Sequence, residues 1–147
     1  MTPTELPASV LFACTLNRTR SPMAAALMRR LFGDRVHVDS CGIKADAGFD
    51  PFMIEVLGEM GVEVHSHGPK RFEELDDGSF DLVISLTPDA QHHAAQMLRG
   101  RSVEIEYWPT YDPTDCEGSR ERVLDAYRLL RDHLHRRIVE RFAAPST

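Results

Sequence analysis

The stretch VLFACTLNRTRSPMAAAL, residues 10–27, opens as an apolar run, passes through a polar loop and ends in a segment with helical spacing. Val10, Leu11 and Phe12 ahead of Cys14 suit a buried strand. Ser21 and Pro22 suit the first turn of a helix, where proline forfeits only an N–H that has no intrahelical partner. A strand–loop–helix unit of this kind predicts a parallel sheet if it repeats along the chain. It leaves Cys14 two readings: a small buried hydrophobe closing a strand, or a nucleophile at the start of a helix.

The unit does repeat. Apolar runs near 8–13, 35–40, 80–86 and 102–107 are short, rich in Val, Ile and Phe, and bounded by turn residues, so they predict four strands. Helical spacing lies between them: Met23, Ala26, Leu27 and Leu31; Met53, Val56, Leu57 and Met60; and Ala90 to Leu98. A long last helix follows through Val123, Tyr127, Leu130, Leu134 and Ile138, with Ser119 as its N-cap and Glu121 in its first turn. Strand and helix alternating in this way predict an α/β fold of three layers, a parallel sheet covered on both faces. The length of 147 residues and 42% hydrophobic content predict one domain over 1–147. In such sheets ligands bind beyond the carboxyl ends of the strands. Cys14 is expected at such an end, Ser40 after the second strand and Asp112 after the fourth.

Composition narrows the chemistry. A net charge of -6 and a pI near 5.6 argue against nucleic acid as a partner, since neutralising a phosphate backbone needs a broad basic surface. The N-terminal MTPTELPAS lacks the basic region of a signal peptide and no apolar run is long enough for a bilayer, so the expectation is a cytoplasmic protein without a membrane partner. Three cysteines in such a chain read as reduced thiols. The histidines at 65–67, 92–93 and 133–135 lack the i, i+4 spacing of a zinc site, and no metal is expected.

The loop from Thr15 to Thr19 allows backbone N–H groups to converge on one point beside the positive end of a helix. Thr15, Leu16, Asn17, Arg18, Thr19 and Arg20 are therefore the candidate cradle for a tetrahedral oxyanion, with Arg20 able to grip two oxygens at once. The same field favours the thiolate of Cys14. A thiolate attacking a phosphate monoester needs a proton donor for the leaving oxygen and then a base for water. In YWPTYDPTD, residues 107–115, Asp112 can serve as both, with Asp115 as competitor. Read on its own, that loop also makes Asp112 an ordinary Asx-turn residue. Phe49 and Phe52, and Tyr107, Trp108 and Tyr111, read either as walls of a substrate groove or as packing.

Cys14, Asn17, Arg20, Ser21, Pro22 and Met23, together with Asp112-Pro113, resemble the low-molecular-weight protein-tyrosine phosphatases and the related thioredoxin-coupled arsenate reductases. VDSCG (38–42), GVEVHSH (61–67) and FDLVISL (80–86) extend the likeness along nearly the whole chain. The resemblance implies a flavodoxin-like sheet of four strands ordered 2-1-3-4, with Cys14 as nucleophile, Arg20 as phosphate clamp and Asp112 as general acid. It implies that Asn17, Ser21, Ser40 and His67 brace the loop. A phosphorylated protein or small aryl phosphate would be the substrate and inorganic phosphate the product, with no metal or organic cofactor, in a monomer or weak dimer. Departures from the family pattern are Leu16 in place of glycine, Thr19 in place of a second loop cysteine, Ala25 in place of a common Glu, and Thr114 and Asp115 in place of two tyrosines. If the backbone at Leu16 has positive φ, the cost is roughly 1 kcal/mol. Arg18 stands at a variable rim position and reads in two ways: a residue that favours an extra negative charge on the substrate and disfavours phosphoarginine, or a solvated side chain without influence. Two alternatives accompany the phosphatase reading. One is arsenate reduction with Cys116 or Cys41 as resolving thiol, although SLTPDAQHHAAQML (85–98) has no cysteine. The other is a phosphate-binding module without catalysis.

Overall fold

In the computed structural model, which describes residues 6–64, 68–75 and 80–143, strand β1 (Ser9–Cys14) is buried from Val10 onward. Val10, Phe12 and Cys14 join one apolar cluster and Leu11 and Ala13 another, as the two-residue period of a strand dictates. A strand apolar on both faces needs a layer over each. Helices α1 (Arg20–Phe32), α2 (Pro51–Gly58) and α4 (Arg120–Phe142) supply Met23, Met53 and Leu130 to the first cluster, while α3 (Pro88–Met97) supplies Ala90 and Ala94 to the second. The result is the three-layer α/β arrangement.

The sheet contains β2 (His37–Gly42), β1, β3 (Leu82–Ser85) and β4 (Glu104–Tyr107) in that order, all parallel. In register, Ala13 is flanked by Cys41 on one side and Ser85 on the other, and Cys14 lies beside Gly42. The second strand begins two residues later than its apolar run. Arg35 and Val36 donate their amides to Phe32 O and so finish the turn after α1, while Cys41 and Gly42 are drawn into the ladder. Ser40 and Cys41 therefore lie within β2 and not in a loop after it. The third run is also shortened: Phe80 and Leu86 are buried but lie outside β3.

Three helices begin with a side-chain cap. Asp50 accepts from Phe52 N at α2, Thr87 from Ala90 N at α3 and Ser119 from Arg122 N at α4, with prolines 51 and 88 in the first turns. α1 is different. Thr19 stands at its N-cap with φ -126° and ψ -66° and makes no capping bond. Edge strand β4 carries Glu106, which Arg141 of α4 meets at 2.7 Å. Burial pushes that carboxyl up, but hydrogen bonds from Arg141 and Trp108 outweigh it and hold it below the usual range. Among the described residues no helix is long and apolar enough to cross a membrane.

Candidate active site

Beyond Cys14 the chain folds back over the end of β2. Thr15 O accepts amides from Ile43 (2.9 Å) and Lys44 (3.0 Å), bringing the loop against Gly42. A Cβ at Gly42 would stand 2.6 Å from Asn17 N and 2.8 Å from Leu16 C, so only glycine lets the loop lie so close. The left-handed residue of the loop is Asn17 (φ 51°), not Leu16. Asparagine tolerates that region well, so the steric cost expected at Leu16 does not arise. Asn17 is buried and all its side-chain polarity is used: Nδ2 donates to Ser21 Oγ (2.8 Å) and Ser40 Oγ (3.0 Å), and Oδ1 accepts from Lys70 N (2.9 Å). Ser21 Oγ lies 2.9 Å from Cys14 Sγ and 3.3 Å from Cys41 O. With Asn17 donating to it, the hydroxyl has one hydrogen to give, and both the Cys41 carbonyl and the Cys14 sulfur lie within its reach.

Between β1 and α1 the backbone amides of Leu16, Asn17, Arg18 and Thr19 donate to no protein group among the described residues. Of these residues Leu16, Arg18 and Thr19 line a cleft of ≈ 110 Å³, together with Cys14, Arg20, Asp112 and Thr114. Arg20 reaches across it: Nη1 donates to Thr110 O at 2.9 Å, and Nη2 lies 3.9 Å from Asp112 Oδ2. Asp112 also fulfils the turn reading, because its Oδ1 accepts from Thr114 N (2.9 Å) and Thr114 Oγ1 (2.6 Å). One oxygen holds the turn and the other faces the cleft. Asp115 is exposed in the 3-10 turn Pro113–Asp115 and does not line the cleft.

A residue that sequence reading passed over braces the loop from behind. Asp50 is 2% exposed, yet its Oδ2 accepts from Thr19 Oγ1 (2.8 Å) and Tyr127 OH (2.5 Å) and lies 4.0 Å from Arg18 Nη1. Its own amide donates to Arg18 O at 3.0 Å. In sequence Asp50-Pro51 signals only a helix start and Tyr127 only an apolar stripe. Burial, and then the bond to Asp50, push the Tyr127 phenol up. Arg18 is thus half of an ion pair at the mouth of the cleft.

Of the other candidates, His67 lies outside the described residues. Phe49 and Phe52 pack on the core, Phe52 against Tyr127 at 5.5 Å between rings. Trp108 is buried against Phe12, Tyr107 is exposed on the edge strand, and Tyr111 hands its hydroxyl to Ala126 O on α4. None of the five aromatic rings lines the cleft. Cys41 is wholly buried in the cluster on the opposite face of the sheet from Cys14; burial, and then the neighbouring Cys14 and Asp39, push its thiol up. Cys116 is half-buried, with Sγ 3.8 Å from both Glu117 O and Arg122 O. Among the described residues no cluster of His, Cys, Asp and Glu is arranged to hold a metal ion.

Comparison with known proteins agrees with this architecture. An arsenate reductase of Bacillus licheniformis is 30% identical over 135 residues, which cover 92% of this chain and 94% of that protein. Two solved structures share the fold. The low molecular weight protein tyrosine phosphatase of T. tengcongensis has a TM-score of 0.76 at 24% identity, covering 93% of this chain and 99% of its own. A tyrosine phosphatase of Erwinia amylovora has a TM-score of 0.76 at 17% identity, covering 97% and 95%. Residues 9–143 match the family model described as low molecular weight phosphotyrosine protein phosphatase, and the chain, with its flavodoxin-like sheet and its Cys14 loop, belongs to that family.

Proposed function

We propose that the chain hydrolyses phosphate monoesters, protein phosphotyrosine foremost, through a phosphocysteine on Cys14. One observation carries the reading: Cys14, Arg20 and Asp112 line one small cleft, and the loop amides beside it have no protein acceptor among the described residues. A phosphate monoester seated there meets converging N–H donors and a guanidinium, which suit the charge on its equatorial oxygens. Cys14 Sγ attacks phosphorus, forming S–P as the ester P–O bond breaks, and Asp112 Oδ2 delivers its proton to the leaving oxygen. Water then attacks phosphorus, Asp112 takes a proton from it, and S–P breaks to release inorganic phosphate and the Cys14 thiolate. Ser21, held by Asn17, stands 2.9 Å from the sulfur, where its hydroxyl can turn from the Cys41 carbonyl to donate to it.

The test is an acid quench during turnover of an aryl phosphate, followed by mapping of the modified residue. Phosphate on Cys14, with a burst of leaving group that Cys14→Ser abolishes, is the expected result. Asp112→Ala should lower kcat by about 10²–10⁴ while phosphate still binds. No burst from a protein that binds phosphate would leave a binding module instead.

A second reading is supported by the Bacillus licheniformis relative's name, arsenate reductase. In it Cys14 attacks arsenate, water leaves, and a second thiol then displaces arsenite as a disulfide forms for a dithiol reductant to reopen. Cys116 is the half-buried candidate, whereas Cys41 faces away across the sheet. Arsenate-dependent oxidation of a dithiol, lost in Cys116→Ser, is the result that would favour it.

A further inference from the structure

Thr19 occupies the N-cap of α1 yet caps nothing. A threonine there ordinarily adopts an extended backbone and accepts from the N–H two or three positions on, stabilising the helix by about 1 kcal/mol. Here ψ is -66°, and the hydroxyl instead donates to Asp50 Oδ2 at 2.8 Å. The third helical position is Pro22, which has no N–H, so the amide that Thr19 would cap is that of Ser21. That amide belongs to the same turn as the amides of Leu16, Arg18 and Thr19, which have no protein acceptor among the described residues and whose residues line the cleft.

The grip on this turn comes from one residue. Asp50 takes the Thr19 hydroxyl, binds Arg18 O through its own amide and stands 4.0 Å from the Arg18 guanidinium. Its Oδ1 is committed to capping α2, and Tyr127 from α4 fixes Oδ2 at 2.5 Å. The carboxylate is only 2% exposed, and these donors surround it. Arg18 Nε is buried without a hydrogen-bond partner among the described residues.

We propose that Asp50, steadied by Tyr127, is a positioning residue that keeps Thr19 from capping its own helix and so reserves the first amides of α1 for the oxyanion. The inference rests on the reading of this loop as an oxyanion cradle. Without the carboxylate, Thr19 relaxes into the extended capping backbone, its hydroxyl accepts the Ser21 amide, and the substrate's oxygens face one donor fewer in a reshaped cradle. The competition is internal to the chain: the same N–H serves either the protein's own hydroxyl or the ligand.

The coupling is measured by calorimetric titration of inorganic phosphate into four proteins: the parent, Asp50→Ala, Thr19→Val and the double variant. Losing one donor to a charged group corresponds to about tenfold in affinity. Asp50→Ala is therefore expected to weaken phosphate binding about tenfold in the parent. It should weaken binding less than about threefold when Thr19→Val has already removed the hydroxyl that would do the capping. Equal losses in both backgrounds would overturn the proposal, because Asp50 would then act without Thr19. If Asp50→Ala does not fold, Tyr127→Phe reads the same coupling with the carboxylate in place. A several-fold loss of phosphate affinity that disappears in the Thr19→Val background supports the proposal, and an unchanged affinity overturns it. Because the readout is binding and not turnover, failure to detect a phosphocysteine would count against the proposed hydrolysis and leave this coupling standing.

Discussion

At Gly42 a single missing methyl decides whether the loop can form. Gly42→Ala would force Asn17 N and Leu16 C away from a Cβ that has backbone on both sides and no flexible side chain to displace. The expected outcome is a loss of about 1–3 kcal/mol in chemical denaturation, accompanied by weaker phosphate binding. Arg18 is the second decisive residue. It is 37% exposed beside a buried carboxylate, so its charge is felt at the cleft mouth and screened by solvent. Arg18→Ala should cost about two- to fivefold in kcat/KM for a phosphotyrosine peptide with acidic flanks and less for one with basic flanks. Equal losses on the two peptides would remove Arg18 from substrate selection. Cys14 and Arg20 could be singled out as candidates from the sequence because strand, loop and helix are consecutive there, whereas Asn17 and Ser21 entered as loop braces only through the family resemblance. Asp50 could not be singled out: its partners Thr19 and Tyr127 are far along the chain, and an aspartate before proline already has an adequate local explanation as a helix cap.

At the scale of elements, α2 packs on α4 through Met53, Val56 and Leu57, and Glu59 at its C-cap adds ion pairs to that apolar contact. Glu59 receives Arg128 Nη2 at 2.8 Å and Arg131 Nη1 at 2.9 Å. The hydrogen bond from Arg128, with that from Arg131, holds the Glu59 carboxyl down to about 2 against an ordinary value of 4.5. A carboxyl whose folded value is depressed contributes stability that is fully present above its unfolded value and lost as the folded value is approached. The contribution should therefore fade between about pH 4.5 and about pH 2. Thermal unfolding across that window should show a shallower fall in Tm for Glu59→Gln than for the parent; parallel curves would mean that the pair is silent. The elements themselves were legible because each is bounded by local chemistry: Ser119 starts α4, and prolines 51 and 88 start α2 and α3. The edges of β2 were not legible. Whether Arg35 or Gly42 belongs to a strand depends on which neighbour supplies the ladder, and that neighbour is β1. The aromatic residues near Asp112 were ambiguous for the same reason, since adjacency in sequence does not say that Trp108 turns toward Phe12 and Tyr111 toward α4.

Across the whole molecule, the sheet separates two thiols that lie on neighbouring strands. Cys14 closes β1 on the face covered by α1 and α4, and Cys41 points into the face covered by α3. Burial pushes the Cys41 thiol up and keeps reagents from it. Alkylation of Cys41 should consequently be absent in the folded protein and should follow the rate of global unfolding. Rapid labelling of Cys41 under native conditions would show that the α3 face opens locally.

Arg20 also links distant parts of the chain. Its guanidinium, at the start of α1, holds the Thr110 carbonyl and faces Asp112, so one side chain latches the beginning of the chain to the segment near its end. An arriving anion would compete with that latch, and the loop carrying the proton donor would be released or redrawn in step with ligand capture. Arg20→Lys, though it preserves the charge, offers no planar fork to span both duties.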